Sequence, residues 1–113
     1  MSLDADVTAM IADVLDEHGV PCIYARASSS SAVNLCLLRP QGPVLFEAGN
    51  GMVIEIERVD IIFRTSDLPY GDPIADDHIT INSVKYLIKQ ISGEKVFRRL
   101  SPQLTRVHTV QVH

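Results

Sequence analysis

The fold class follows from one stretch in the last third of the chain, His78-Ile-Thr-Ile-Asn-Ser-Val-Lys-Tyr-Leu-Ile88. Two short runs of alternating apolar and polar residues flank a central Asn-Ser pair, which is typical of an antiparallel hairpin with a two-residue turn. In that register Ile81 faces Val84 and Ile79 faces Tyr86, so the apolar side chains meet on one face. The stretch therefore predicts two short paired strands.

Further β signals surround this hairpin. The longest covers residues 52–65, where the apolar residues change from even to odd positions near Arg58. One extra residue in a strand produces such a change, so we predict a β-bulge or a bend at Glu57–Arg58. Turn-forming residues separate four other predicted strands, which are Cys22–Ala27, Ala32–Leu38, Val96–Leu100 and Arg106–Val112. The serine run 28–31 and the proline- and glycine-rich segment 39–51 are predicted to be mobile loops.

Residues 2–18 predict an amphipathic helix. Six apolar residues form one stripe at helical spacing, and Gly19 can adopt the left-handed conformation that ends a helix. The stripe consists of Leu3, Val7, Met10, Ile11, Val14 and Leu15. The chain of 113 residues is then a single domain, 1–113, with the helix preceding a β-domain of residues 20–113. Its predicted fold class is mainly β (α+β), a small antiparallel β-barrel or sandwich of about six strands with one N-terminal helix.

Composition argues against several classes of protein. The formal net charge is −4, from 10 basic and 14 acidic residues, whereas a general nucleic-acid binder carries an excess of Lys and Arg. No apolar run approaches the roughly 20 residues of a membrane helix, and the chain does not begin with a basic region followed by an apolar block. We therefore expect a cytoplasmic protein with no specific nucleic-acid partner and no membrane partner. The apolar content of 46% predicts that other subunits bury part of the surface.

The sequence contains no recognised motif of catalysis or cofactor binding. Cys22 and Cys36 lack the spacing of a metal or redox motif, so they are expected to be reduced core side chains. Asp76-Asp77-His78 is the one local cluster with metal-ligand chemistry, but neighbouring residues of a strand point to opposite faces. We expect this cluster to be a solvated turn, with an ion site as the alternative. The chain is predicted not to be an enzyme and to hold no cofactor or metal.

Two groups of residues are candidates for an interaction surface. The apolar triplet Val44-Leu45-Phe46 lies inside the predicted loop 39–51, where it either docks on a partner or folds back onto the core. The second group is basic and consists of Lys85, Lys89, Arg98 and Arg99. These residues either form a solvated outer face that guards strand edges, or complement the acidic helix of another subunit.

A series of turn and core residues runs through the second half of the chain. It comprises Ser66-Asp67-Leu68, Gly71-Asp72, Ile79-Thr80-Ile81, Asn82-Ser83, Tyr86-Leu87-Ile88, Gly93 and Val96–Leu100. In this order the chain resembles the lambda-type phage head–tail joining proteins. The resemblance covers residues 52–112, about half of the chain.

The resemblance implies a structural protein of a phage or prophage neck. Such proteins are small β-barrels that assemble as a ring, typically a hexamer, which completes the head and provides the tail attachment surface. The implied partners are further copies of the chain, the head connector and tail proteins. The implied locations are the bacterial cytoplasm during assembly and then the virion neck. Alternatives are another ring adaptor, such as a tail terminator, and an OB-like barrel that binds single-stranded nucleic acid by aromatic stacking.

Overall fold

The computed structural model describes residue 10 and residues 13–47, 51–90 and 95–112, with the exception of the side chains of residues 44, 46, 47 and 54. Residues 13–18 form the helix α1. Seven strands follow: β1 (Val20–Arg26), β2 (Ser29–Glu47), β3 (Val53–Arg64), β4 (His78–Ile81), β5 (Val84–Ile88), β6 (Phe97–Ser101) and β7 (Leu104–Val112). The mainly β class predicted from the sequence is confirmed.

The strands form a closed antiparallel barrel. Each strand of the circuit β3-β2-β1-β4-β5-β7 is hydrogen-bonded to its neighbours, and β3 pairs with β7 to close the circuit of six strands. β6 is an additional strand, which pairs with β7 next to the end of β5. Closure removes most unpaired strand edges, because each strand of the circuit has a partner on both sides. Of the two predicted architectures, the chain adopts the barrel.

The β4–β5 hairpin has the predicted register. Ile79 pairs with Tyr86 and Ile81 pairs with Val84, and both isoleucines are buried. The two turn residues, an Asn and a Ser, have φ values of 50° and 69°. A type I′ turn requires positive φ at both positions, and this conformation costs a residue other than glycine about 1 kcal/mol. Burial of the paired isoleucines offsets that cost.

Large apolar side chains fill the interior of the barrel. Tyr24 and Phe63 contact each other edge to face, with ring centroids 6.1 Å apart and an interplanar angle of 72°. The fully buried aliphatic side chains of the same cluster are Ile61, Ile79, Ile88 and Val107. With Val33 and Cys36 of β2, six different strands contribute buried residues to one interior cluster.

The serine run is a strand instead of the predicted mobile loop. Ser29 begins β2 and pairs with Arg26, and Ser31 pairs with Tyr24. The turn is limited to residues 27–28. The prediction for 28–31 was wrong because hydrogen bonds to β1 stabilise this part of β2, although its serine side chains are mostly exposed.

Most of the segment 39–51 is also a strand, so the second loop prediction was wrong. β2 continues to Glu47 and pairs with β3 from Leu37 onward. Pro40 and Pro43 are tolerated because β2 pairs with β1 only as far as Cys36, and from there one edge of β2 lacks a described partner. A missing N–H on that edge removes no hydrogen bond from the sheet.

The bulge predicted in β3 lies on the neighbouring strand β2. Its extra residue is Gln41, between Pro40 opposite Val59 and Gly42 opposite Arg58. Gly42 has a φ of 88°, which glycine adopts without a steric penalty. The sequence pattern located the irregularity along the barrel but could not assign it to one of the two paired strands.

Helix α1 covers an apolar patch on the outside of the barrel. Leu15 is fully buried there. Its neighbours on the barrel are Leu37, Ile62 and Leu104. Met10 is 67% exposed and Val14 is 37% exposed, so these two members of the predicted stripe do not join the core. Residues 2–9, 11 and 12 of the predicted helix lie outside the described residues.

Gly19 ends α1 by a different route from the predicted one. It does not adopt a positive φ. Its N–H donates a hydrogen bond to the carbonyl oxygen of Leu15 over 2.8 Å, and a Cβ atom at this position would clash with that oxygen. Glycine is therefore needed here for space.

We expect Leu15→Ala to lower the free energy of unfolding by about 2–5 kcal/mol, because it removes a fully buried side chain between α1 and the barrel. Val14→Ala on the same helix is the matched control and should change that free energy by about 0.5 kcal/mol or less. Urea denaturation followed by circular dichroism measures both. Equal losses in the two variants would contradict the described packing.

Candidate functional site

The hairpin of β2 and β3 extends beyond the barrel. β3 pairs with β7 only from Arg58 to Arg64, and β2 pairs with β1 only as far as Cys36. Within the described part of the chain, residues 42–47 therefore pair only with residues 53–58 of β3, and residues 53–57 pair only with β2. At about 3.3 Å per residue this two-stranded segment is about 20 Å long. We call residues 42–47 and 53–57 the ribbon.

The ribbon and its immediate flank expose apolar side chains. Leu45 is 76% exposed, Val53 is 58% exposed, and Met52, just before β3, is 56% exposed. Single exposed apolar residues are common on proteins, but several in one hairpin are typical of an interaction site. Of the predicted triplet, Leu45 has the exposure expected of a docking residue. The side chains of Val44 and Phe46 lie outside the described residues.

Both outer edges of the ribbon lack a strand partner among the described residues. Unpaired N–H and C=O groups at such edges can form hydrogen bonds with an added strand. The ribbon therefore offers two modes of contact, apolar burial and backbone pairing.

The predicted basic residues are distributed over β5 and β6. Lys85 on β5 and Arg98 on β6 are exposed. Lys89 follows β5 and is half-buried, and its backbone N–H donates a hydrogen bond to the carbonyl oxygen of His108 over 3.3 Å. Lys85 and Arg98 are thus accessible to solvent.

Arg99 makes several contacts with other residues of the same chain. Its guanidinium forms an ion pair with Asp72 and donates a hydrogen bond to the buried hydroxyl of Thr105. It also lies over the ring of Phe97, 5.1 Å from the centroid. These contacts connect β6 to the loop before β4 and to β7, so Arg99 has a structural role that the sequence did not indicate.

A charged cluster lies on the outer face of the barrel. Side chains alternate along β3, so Asp60 shares the outer face with Ile62, which packs under α1, while Ile61 points into the interior. On β7, His108 lies opposite Asp60 and Arg106 lies opposite Ile62. The two strands therefore bring a carboxylate, a guanidinium and an imidazole to the same surface.

Asp60 is the centre of this cluster and is completely buried. Its Oδ2 lies 2.6 Å from Nε of Arg106, and its Oδ1 lies 3.1 Å from Nδ1 of His108 and 3.3 Å from Nε of Arg58. Burial alone would raise the pKa of Asp60, but the hydrogen bonds from His108 and Arg106 outweigh burial and lower it. We call Arg58, Asp60, Arg106 and His108 the outer-face cluster.

The sequence analysis did not recognise the outer-face cluster. Its only local signal is a pair of charged or polar residues at i, i+2 spacing on each of two strands, Arg58 with Asp60 and Arg106 with His108. Such spacing is also typical of a solvated outer face. Asp60 and His108 lie 48 positions apart in the chain, and the β3–β7 register places them opposite each other. This pairing brings the four residues together as a cluster.

Asp77 is buried and paired. It is 2% exposed, and it accepts hydrogen bonds from the Tyr24 hydroxyl over 2.6 Å and from Nη2 of Arg26 over 2.9 Å. The predicted solvated turn was therefore wrong for Asp77, because two side chains of β1 take the place of water. Among the described residues, no group of three or more His, Cys, Asp or Glu could hold a metal ion.

Arg26 fastens the loop before β4 to β1. It donates hydrogen bonds to the carbonyl oxygens of Tyr70 over 3.1 Å and of Asp72 over 2.9 Å, and it lies over the Tyr70 ring. Burial alone would raise the pKa of Asp77, but the hydrogen bonds from Arg26 and Tyr24 lower it. Burial and the bond to Asp77 raise the pKa of Tyr24. At neutral pH the carboxylate is charged and the phenol is protonated.

The two cysteines are buried free thiols, which confirms the prediction of reduced core side chains. The hydrogen bond to Cys22 and burial raise the pKa of Cys36. Cys22 belongs to the interior cluster, whereas His108 lies on the outer face. These two residues therefore do not form a nucleophile and base pair.

Comparisons with known proteins assign no family. No protein-family model matches the chain, and no curated protein matches it. In the described part of the chain, no helix is long and apolar enough to cross a membrane.

We expect Asp77→Asn to lower the free energy of unfolding at neutral pH by about 3 kcal/mol, because it removes one partner of a buried ion pair. The lowered pKa of Asp77 means that its stabilisation is present above the unfolded value of about 3.9 and is lost as the pH falls through the lower folded value. The variant should therefore lose less stability than the wild type on acidification below about pH 4.

The control for this experiment is Asp76→Asn. Asp76 is the exposed neighbour of Asp77, and asparagine tolerates its φ of 73°. Urea denaturation at a series of pH values between neutral and acidic compares the three proteins. An acid dependence that is the same for Asp77→Asn and the wild type would contradict the described pairing.

Proposed function

We propose that this chain is a structural protein of the head–tail neck of a phage or prophage. In this proposal it forms a hexameric ring, completes the head and provides the surface to which the tail attaches. The observation that carries the proposal is the ribbon, which extends beyond a closed barrel and exposes Leu45, Met52 and Val53. The small-barrel fold that the resemblance implies also supports it.

The ribbon suits a ring because ring contacts join two different surfaces. In a cyclic assembly of more than two copies, each copy presents one surface to the next copy and another to the previous copy. The ribbon supplies the first surface, with exposed apolar side chains and unpaired backbone groups. Lys85 is a candidate for the second surface, where it would meet acidic residues of the neighbour.

The net charge is compatible with this role. A ring at the neck surrounds the path of the DNA, and a chain with a net charge of −4 does not hold phosphates through an overall basic excess. The alternative of a ring adaptor at the end of the tail rests on the same ribbon. The two roles differ in the particles that accumulate without the protein.

The test is deletion of the gene in the phage or prophage that encodes it, followed by electron microscopy of the lysate. The neck role predicts DNA-filled heads beside separate tails of normal length, and restoring the gene should restore joined particles. Tails of abnormal length would instead support the tail terminator. Normally joined particles in the deletion strain would overturn both roles.

We expect Leu45→Asp to weaken self-association by about tenfold or more, because it places a charge in an apolar contact. The free energy of unfolding should fall by about 1 kcal/mol or less, since Leu45 is 76% exposed. Ile74→Asp is the matched control, because Ile74 is 49% exposed in the loop before β4 and outside the ribbon. Sedimentation velocity over a concentration series measures association, and the same variants are tested for rescue of the deletion. A large loss of thermal stability in Leu45→Asp would place Leu45 in a core.

A further inference from the structure

A cleft of about 440 Å³ lies on the outer face of the barrel, where β6 pairs with β7 next to β3. It includes the outer-face cluster and three residues of the neighbouring segment. Its lining residues are Arg58, Asp60, Lys95, Phe97, Arg98, Arg106 and His108. Among the described lining residues, four arginine or lysine side chains and one carboxylate give a net charge of +3. This local charge is opposite to the overall charge of the protein, which is −4.

The one carboxylate of the cleft is already neutralised. Asp60 accepts from Arg106 and lies within hydrogen-bond distance of Arg58 and His108. Its oxygens are therefore directed at side chains of the protein, and their charge is matched by two guanidinium groups. The cleft is unsuited to a cation and retains a positive excess.

The excess positive charge of the cleft includes two arginines that face each other. It lies directly opposite Arg106 in the β6–β7 pairing, so two guanidinium groups are neighbours on one face of the sheet. Like charges in this relation destabilise a sheet. Arg106 is paired with Asp60, but within the described residues Arg98 and Lys95 form no ion pair. An anion bound among these cations would remove the repulsion between Arg98 and Arg106.

We propose that this cleft binds a ligand through its phosphate groups, as a nucleotide or a nucleic-acid strand presents them. A phosphate group carries up to two charges and several acceptor oxygens, which match the net charge of +3 and the adjacent guanidinium forks better than a single carboxylate does. The inference goes beyond the proposed function, because one copy of the chain contains the whole site.

The test measures binding of three probes to the purified full chain at about 50 mM salt, where phosphate contacts are strong. The probes are inorganic tripolyphosphate, ATP and a fluorescein-labelled single-stranded oligonucleotide, and a glutamate-rich peptide of equal charge is the comparison. Calorimetry is used for the small anions and fluorescence anisotropy for the oligonucleotide. We expect saturable binding of the phosphate probes that weakens as salt is raised.

The variant Lys95→Gln with Arg98→Gln should reduce affinity for tripolyphosphate by about tenfold or more, because it removes the two cations that lack an ion pair. Both residues are exposed, and Arg106 is left intact to preserve its bond to Asp60. Lys85→Gln on β5 is the matched control and should leave affinity unchanged within about twofold. As a measurement that needs no variant, the amide NMR shifts caused by tripolyphosphate should be concentrated in β6, β7 and residues 58–60 of β3.

Two outcomes identify the source of the phosphate. Tighter binding of the oligonucleotide than of ATP supports a strand, and equal or weaker binding of the oligonucleotide supports a nucleotide or free phosphate compound. Four outcomes overturn the proposal: no saturable binding of any phosphate probe, an equal loss of affinity in Lys85→Gln, NMR shifts spread over the whole surface, or equally tight binding of the glutamate-rich peptide. The last would assign the cleft to an acidic protein surface.

Discussion

The hydrogen bonds between β3 and β7 run from Arg58 to Arg64 of β3 and close the barrel. The opposite edge of β7 pairs with β5 and β6, so β7 has hydrogen-bonded neighbours on both sides. The same β3–β7 register brings Asp60 to His108 and within reach of Arg106. It ends at the residue where β3 leaves the barrel and enters the ribbon. One set of backbone contacts therefore determines the barrel, the outer-face cluster and the origin of the ribbon.

Two buried carboxylates hold the surfaces around this barrel in place. Removing a carboxylate from water costs several kcal/mol, and the cost is offset only where donors surround it. Asp77 receives donors from Tyr24 and Arg26, and Asp60 receives them from Arg106 of the neighbouring strand β7 and from Arg58 of its own strand. Few arrangements of the chain pair both carboxylates with all of these donors. The network therefore favours a single arrangement of the loop before β4 and of the outer face.

Structural features that depend on a local pattern could be predicted from the sequence. Features that depend on contacts between distant residues could not. The β4–β5 hairpin was predicted with its register because its alternation and turn lie within eleven residues. The length of β2 was missed because its prolines are typical of loops and are tolerated only where an edge lacks a partner. The burial of Asp77 was missed because its partners on β1 lie more than 50 positions away. The cleft likewise depends on a register that no local pattern encodes.

The composition of the ribbon also has a consequence for aggregation of the protein. Exposed two-stranded edges with apolar side chains are templates for fibre growth. Pro43 lacks an N–H on one edge, and Glu55 and Glu57 are exposed at alternate positions of the other strand. Stacking identical ribbons in register would superimpose like charges and interrupt the hydrogen-bond ladder, whereas a chemically different surface would not. The composition of the ribbon therefore opposes the stacking of one ribbon on another ribbon of the same sequence.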